Sequence, residues 1–260
     1  MAALIDENRA RREIAETARE IYDRGLSGAA DGNLSIRLGA GRFATTPSGV
    51  HKGKLKPEDI VVVDASGRAI GRGSRKPSSE IGLHLVAYAR RPDVHAVIHA
   101  HPPMAIAYQL AGGKLSEVLV SEVVFACGQV ATAPYTTPTT SQVPEMLGDY
   151  LACYDVVLMA RHGSVTVGGD LETALVRLDA LEHTARIYAT VRMLGGAEPI
   201  ASGEVDRLFA IAKPNPPPYR QPGRACPAPE PDLATRPPTA PNDAALVDAV
   251  LQALGPRGRR

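Results

Sequence analysis

Eleven of the 22 prolines in this 260-residue chain fall between Pro214 and Pro241. Each proline removes a backbone donor and fixes φ, so a stretch this dense cannot run as a helix or a central strand. The chain therefore divides into a globular part over 1–212, a proline-rich extended tail over 213–242, and a short predicted helix with a basic end over 243–260. The terminal segment "DAALVDAVLQAL" is too short to hold a helix by itself and must dock or fray. Residues 1–212 suffice for one sizeable core.

Inside that core the hydrophobic period changes repeatedly. Residues 5–24 carry Ile14, Ala18, Ile21 and Tyr22 at helical spacing, and Gly25 stops the run. "NLSIRL", "RFATT" and "DIVVVD" read as short strands. "PSSEIGLHLVAYARRPD" opens as a helix N-terminus and continues as an amphipathic body. "VHAVIHAH", "EVVFA", "DVVLMAR" and "SVTVGG" are four further predicted strands. Asp170 caps a long helix with Leu171, Ala174, Leu175, Leu178, Leu181 and Ala185 on one stripe, ended by Gly195 and Gly196. The pattern is mixed α/β, without the regular βαβ alternation that would demand a Rossmann sheet.

A net charge of +1 gives no reason to expect nucleic acid or a membrane as partner. No window approaches the roughly 20 apolar residues that span a bilayer, and "MAALIDENRARR" lacks the apolar stretch of a signal peptide. Cys127, Cys153 and Cys226 are widely spread and form no CxxC pair. They read as separate thiols in a reducing compartment, so a cytoplasmic location is expected.

Chemistry concentrates in a few places. In "VIHAHPP", His99 and His101 alternate onto the same face of a strand, about 6–7 Å apart along it. Pro102 and Pro103 then end the ladder, leaving the pair at a strand terminus. Such a pair is either two exposed edge histidines or two nitrogen ligands for a borderline metal such as zinc. His162, in "MARHGSVTVG", also follows an apolar run and is the natural third ligand. His84 lies mid-helix and is a weaker candidate; His51 and His95 are weaker still. In "KPSSEIG", the Ser78 and Ser79 hydroxyls with free helix-start amides could cradle a phosphate, or serve only as a cap. Glu80 follows at once; a carboxylate beside a metal can ligate it and shuttle protons, while one in a first turn is also simply favoured there. "DGNLS" and "TPSG" are glycine-bearing turns beside strands.

Taken together and in order, "GNLS", "TPSGVHKGKLKPEDIVVVD", "PSSEIGLH", "VIHAHPP" and "RHG" resemble the class II aldolase/adducin family. The likeness is greatest to its sugar-1-phosphate aldolases of the L-fuculose-phosphate type, and it extends over about residues 8–212. The resemblance implies a three-layer α/β/α fold around a mostly antiparallel sheet, and a fourfold homotetramer with active sites between subunits. It implies a Zn2+ ion on His99, His101 and His162, with Glu80 as acid/base and as a fourth ligand of the resting site. It also implies a phosphorylated sugar substrate whose phosphate is held by Gly32, Asn33, Ser48, Gly49, Ser78 and Ser79. The activity expected is reversible cleavage of a ketose 1-phosphate into dihydroxyacetone phosphate and an aldehyde.

Rival readings on the same scaffold are an epimerase, a dehydratase or a decarboxylase; a non-catalytic adducin-like module would have lost the metal ligands. This chain departs from the aldolase pattern where a neighbouring subunit's tyrosine is expected. It reads "LVSEVVFACG" there, with Val120 at the aligned position and Glu122 close by. A C-terminal tyrosine of the family corresponds to Tyr219 only across the inserted prolines.

Overall fold

Strands that are apolar on both sides need a helical layer on each, and this chain supplies both. The computed structural model describes residues 5–71, 75–137, 142–212 and 225–230. In chain order the elements are α1 (Glu7–Asp23), β1 (Asn33–Gly39), β2 (Arg42–Thr45), β3 (Val61–Val63), α2 (Ile81–Arg90), β4 (Ala96–Ala100), α3 (Pro103–Leu110) and α4 (Glu122–Cys127). They continue with β5 (Val130–Ala133), α5 (Gln142–Leu151), β6 (Val156–Met159), β7 (Gly163–Gly168), α6 (Leu171–Met193) and α7 (Ser202–Ala212). The strands form one sheet of seven in the order β3-β2-β1-β4-β7-β6-β5. Only β5 and β6 run parallel; the other pairs are antiparallel.

Helices α2 and α5 cover one face, with Leu83, Ala87, Tyr88, Leu147 and Leu151 against Val97, Val157, Val165 and Val167. Helices α1 and α6 cover the other, with Ile14, Ala18, Leu171 and Leu178 against Leu34, Ile36 and Ile98. That second layer extends through α3, α4 and α7. The expected three-layer α/β/α architecture around a mostly antiparallel sheet is present. Both long helices begin on aspartate caps: Asp6 accepts from the amides of Asn8 and Arg9, and Asp170 from that of Thr173.

Two expectations are corrected. "EVVFA", predicted as a strand, lies in helix α4. Its run of β-favouring residues gives way to packing: Val123, Val124 and Cys127 bury one side among α6 and α7 residues while Phe125 stays exposed. The cysteines are not three separate thiols, because Cys153 and Cys226 are disulfide-bonded and only Cys127 is free. Their separation of 73 residues hides the pairing in the sequence. Residues 225–230, within the proline-rich stretch, return to the sheet's β5 edge. The Thr132 amide donates to the Pro229 carbonyl (2.7 Å) and the Tyr154 hydroxyl to that of Pro227 (2.7 Å). The helix expected in 243–260, and Tyr219, lie outside the described residues. Among the described residues, no helix is long and apolar enough to cross a membrane.

Candidate active site

Strand β4 sits at the centre of the sheet, and its C-terminal end carries the candidate chemistry. His99 pairs in register with Asn33 on one side and Val165 on the other. Alternation turns His99, with Asn33 and Ser35 of β1, toward α2. The His99 Nδ1–H donates to the Ser164 carbonyl at 2.9 Å, which fixes the ring and turns Nε2 into the site. His101, one residue beyond the strand, brings its Nε2 to 3.2 Å from the His99 Nε2. Its Nδ1 faces the Asp31 carboxylate at 4.0 Å.

His162 completes the group from the β6–β7 turn, where its amide donates to the Met159 carbonyl at 3.0 Å. One ligand atom from each of the three histidines lies within 4.8 Å of the others. The Nδ1 of His162 is buried with no hydrogen-bond partner, a state that costs free energy unless something else satisfies it. Burial and the neighbouring His99 hold the His162 and His101 rings below the usual imidazole range, His101 at about 4 with a further contribution from His162. Converging imidazole nitrogens are the donor set that zinc and similar ions take. The residues present fit such an ion.

Glu80 stands opposite, at the N-cap of α2, where its amide donates to Ser78 Oγ at 3.2 Å. Its Oε2 accepts from Asn33 Nδ2 at 2.9 Å and lies 3.4 Å from His99 Nε2; its Oε1 lies 3.6 Å from His162 Nε2. Burial works against the charge, but the hydrogen bond and electrostatic attraction of His99, the Asn33 amide and the electrostatic attraction of His162 outweigh it. The carboxyl is held down at about 2.

The turns named from sequence meet beside Glu80. Pro47 and Pro77 form an antiparallel bridge. The Ser48 amide donates to the Lys76 carbonyl (3.0 Å) and the Ser78 amide to that of Thr46 (3.3 Å). This zips Ser48 and Gly49 alongside Ser78 and Ser79. Gly32 precedes Asn33 with φ +71, and a Cβ there would lie 2.6 Å from the His99 carbonyl oxygen, so only glycine permits the approach. Asn33 itself is buried, its side chain bridging Glu80 and His84. Glu122, by contrast, lies at the exposed start of α4, in the opposite helical layer from Glu80.

Two residues of consequence escaped the sequence reading. Lys52, within "HKGKLK", looks like part of a solvated basic loop, yet it is buried. Its ammonium donates to the Ala30 (3.3 Å) and Val50 (3.2 Å) carbonyls, tying the turns at 28–33 and 46–50 together. Gly163 follows His162 where a Cβ would meet His101 Cδ2 at 2.5 Å. Its place in the "RHG" triplet was the only signal available.

Residues 12–189 match the family described as Class II Aldolase and Adducin N-terminal domain. The chain is 32% identical over 199 residues to a 5-deoxy-D-ribulose 1-phosphate aldolase of Bacillus thuringiensis serovar kurstaki, covering 76% of this chain and 92% of that protein. It is 38% identical over 182 residues to a methylthioribulose-1-phosphate dehydratase of Methylococcus capsulatus, covering 66% and 88%. Among solved structures it is similar to an L-fuculose 1-phosphate aldolase, with a TM-score of 0.72 and 26% identity over 82% of this chain and all of that one.

Proposed function

The chain belongs to the Class II Aldolase and Adducin N-terminal domain family, and on that premise we propose that it is a metal-dependent lyase acting on a ketose 1-phosphate. The products are dihydroxyacetone phosphate and an aldehyde, and the reaction is reversible. The observation that carries this reading is the Glu80 carboxylate, held 3.4 Å and 3.6 Å from two of three clustered histidines. The 32% identity to a 5-deoxyribulose-phosphate aldolase supports the substrate class.

A divalent ion such as zinc on His99, His101 and His162 would supply Lewis-acid stabilisation of the negative charge that develops on substrate oxygens. Glu80 moves the proton. In the condensing direction it takes the C3 proton of dihydroxyacetone phosphate; in cleavage it returns that proton to the same carbon. To take that proton the carboxylate must start ionised, the form that the hydrogen bond from Asn33 favours. No lysine amine is needed, because the carbanion is not stabilised through a Schiff base. Gly32, Asn33, Ser48, Gly49, Ser78 and Ser79 are assigned to the phosphate, through amides and hydroxyls grouped at the start of α2. Glu80 also stands close enough to His99 and His162 that it would serve as a fourth ligand of such an ion.

A second reading is a dehydratase on methylthioribulose 1-phosphate, which the 38% identity to such an enzyme favours. The test is product analysis with metal-loaded protein and the 1-phosphates of L-fuculose, 5-deoxyribulose and 5-methylthioribulose. Release of dihydroxyacetone phosphate from any of them supports the aldolase. Loss of water with the carbon skeleton intact replaces it by the dehydratase. Turnover of none of the three refutes both readings.

A further inference from the structure

Behind Glu80 runs a line of buried polar side chains. Asn33 Nδ2 reaches Glu80 Oε2 at 2.9 Å, and Asn33 Oδ1 is hydrogen-bonded to His84 Nε2. His84 Nδ1 lies 2.7 Å from Ser35 Oγ, which lies 2.7 Å from the Tyr88 hydroxyl. His84 and Ser35 are completely buried and Tyr88 is 3% exposed. Buried polar groups chained in this way need a purpose or a full set of partners. Here the partners are complete.

The hydrogens can be assigned from one end. The amino end of Asn33 faces Glu80 Oε2, a carboxylate oxygen that accepts, and its carbonyl oxygen faces His84. His84 therefore carries hydrogen on Nε2. With that hydrogen on Nε2, the Nδ1 that faces the Ser35 hydroxyl at 2.7 Å is the acceptor of the ring. Ser35 donates to that nitrogen, and Tyr88 donates to Ser35. The Tyr88 ring is fixed in turn, stacked on Phe43 at 4.7 Å between centroids, with the Arg37 guanidinium 4.9 Å away on the ring. Arg37 also donates to the Tyr88 carbonyl at 2.7 Å.

We propose that His84, oriented by Ser35 and Tyr88, is a positioning residue that locks the Asn33 amide with its N–H toward Glu80 and so holds the base in its working orientation. An asparagine amide is nearly symmetrical in shape, and a flip would set its oxygen against the carboxylate. His84 forbids the flip, because the amino group would then meet another N–H. Glu80 Oε2 is thereby tied while Oε1 faces the histidine cluster. His84, Ser35 and Tyr88 are buried behind Asn33, so their loss should lower the proton-transfer rate by more than it raises KM, which responds only through Asn33. This role rests on Glu80 acting as the base, as proposed above.

Two measurements test it. In long-range proton–nitrogen spectra of 15N-histidine-labelled protein, His84 (identified by its absence from a His84→Gln variant) should appear as the neutral Nε2–H tautomer at neutral pH. Its Nδ1 resonance should move in Ser35→Ala. An Nδ1–H tautomer, a protonated ring or an unmoved resonance would overturn the assignment, with no substrate required. In exchange of the C3 proton of dihydroxyacetone phosphate with solvent, His84→Gln keeps an N–H for Asn33 and should stay near the wild-type rate. His84→Leu should fall about 10- to 100-fold, the range for losing an orienting partner, with a smaller change in KM. Equal rates for the two variants would overturn the positioning role, and a leucine variant that fails to fold leaves the decision to the spectra and Ser35→Ala. Absence of exchange in the wild type would instead sink the assignment of Glu80, which the spectra distinguish.

Discussion

Gly163 offers the sharpest structural test of the histidine cluster, because one added methyl group collides with it from behind. A Cβ at this position would lie 2.5 Å from His101 Cδ2, 2.6 Å from the Ala100 carbonyl oxygen and 3.1 Å from His99 Cε1. Ordinary carbon contacts begin near 3.5 Å, so His101 must retreat by about 1 Å. The backbone has little freedom to yield instead. Gly163 pairs with Met159 in β6, and the next residue, Ser164, holds His99 through its carbonyl and pairs with Ala100. Metal–ligand distances tolerate only about 0.2 Å, so Gly163→Ala should remove His101 from the ligand set or strain it. Overpacking of this kind costs about 1–3 kcal/mol, which lowers the melting temperature by roughly 2–4 °C per kcal/mol in a domain of this size. Zinc affinity, measured by competition with a chromophoric chelator, should fall at least about tenfold. Thermal melts with and without zinc provide the control: the wild type should gain from the ion as mass action requires, and the variant should gain less. A folded Gly163→Ala protein with wild-type zinc affinity would refute the placement of His101 as a ligand.

Ser79 is exposed at the start of α2, whereas the Ser78 hydroxyl also holds the Glu80 amide, so Ser79→Ala is the cleaner probe of the phosphate cradle. It should raise KM for the phosphorylated sugar by about 1.5–3 kcal/mol, the worth of a charge-assisted hydrogen bond; unchanged KM would take Ser79 out of the cradle. Asp155 accepts from both Arg91 (2.8 Å) and Arg177 (2.5 Å) at 10% side-chain exposure. Asp155→Ala leaves Arg91 with Asp93 but takes the carboxylate from Arg177, which keeps the Val167 carbonyl; it should cost about 1–3 kcal/mol in denaturant unfolding, and a loss below about 0.5 kcal/mol would show that water takes the place of the carboxylate. Cys226→Ser opens a loop of 73 residues, a loss of up to about 4 kcal/mol from chain entropy. It should also speed hydrogen exchange at the Thr132 amide, which the tail carbonyl of Pro229 covers; unchanged protection there would mean that residues 225–230 hold the β5 edge without the disulfide.

The parts of the site legible in the sequence are those written in local geometry. Strand alternation places His99 and His101 together, the end of an apolar run places His162, and the Pro-Ser-Ser-Glu opening places Glu80 at a helix start. What stayed hidden depends on which surfaces are covered. Asn33, Ser35 and Arg37 alternate with Leu34, Ile36 and Leu38 like the wet face of an edge strand, yet β1 is interior to the sheet and its polar side faces α2. His84 looks like an ordinary helical residue until Ser35 and Asn33 are set against it. Lys52 sits among other lysines and only the converging turns reveal its burial. The strand-like composition of residues 122–126 yields to helix packing, and the Cys153–Cys226 bond joins positions that only the return of the tail brings together.

Exchange of the dihydroxyacetone phosphate C3 proton in Glu80→Gln protein tests the central claim, since this half-reaction needs no aldehyde and isolates the base. Glutamine keeps the size and can still hydrogen-bond to Asn33, but it cannot take up a proton near neutral pH. Measured by solvent-isotope incorporation in protein shown to retain its metal, exchange should fall by about 10²–10⁴-fold, the contribution of a general base. Exchange at the wild-type rate in metal-retaining Glu80→Gln would contradict the account and move the deprotonation to another residue.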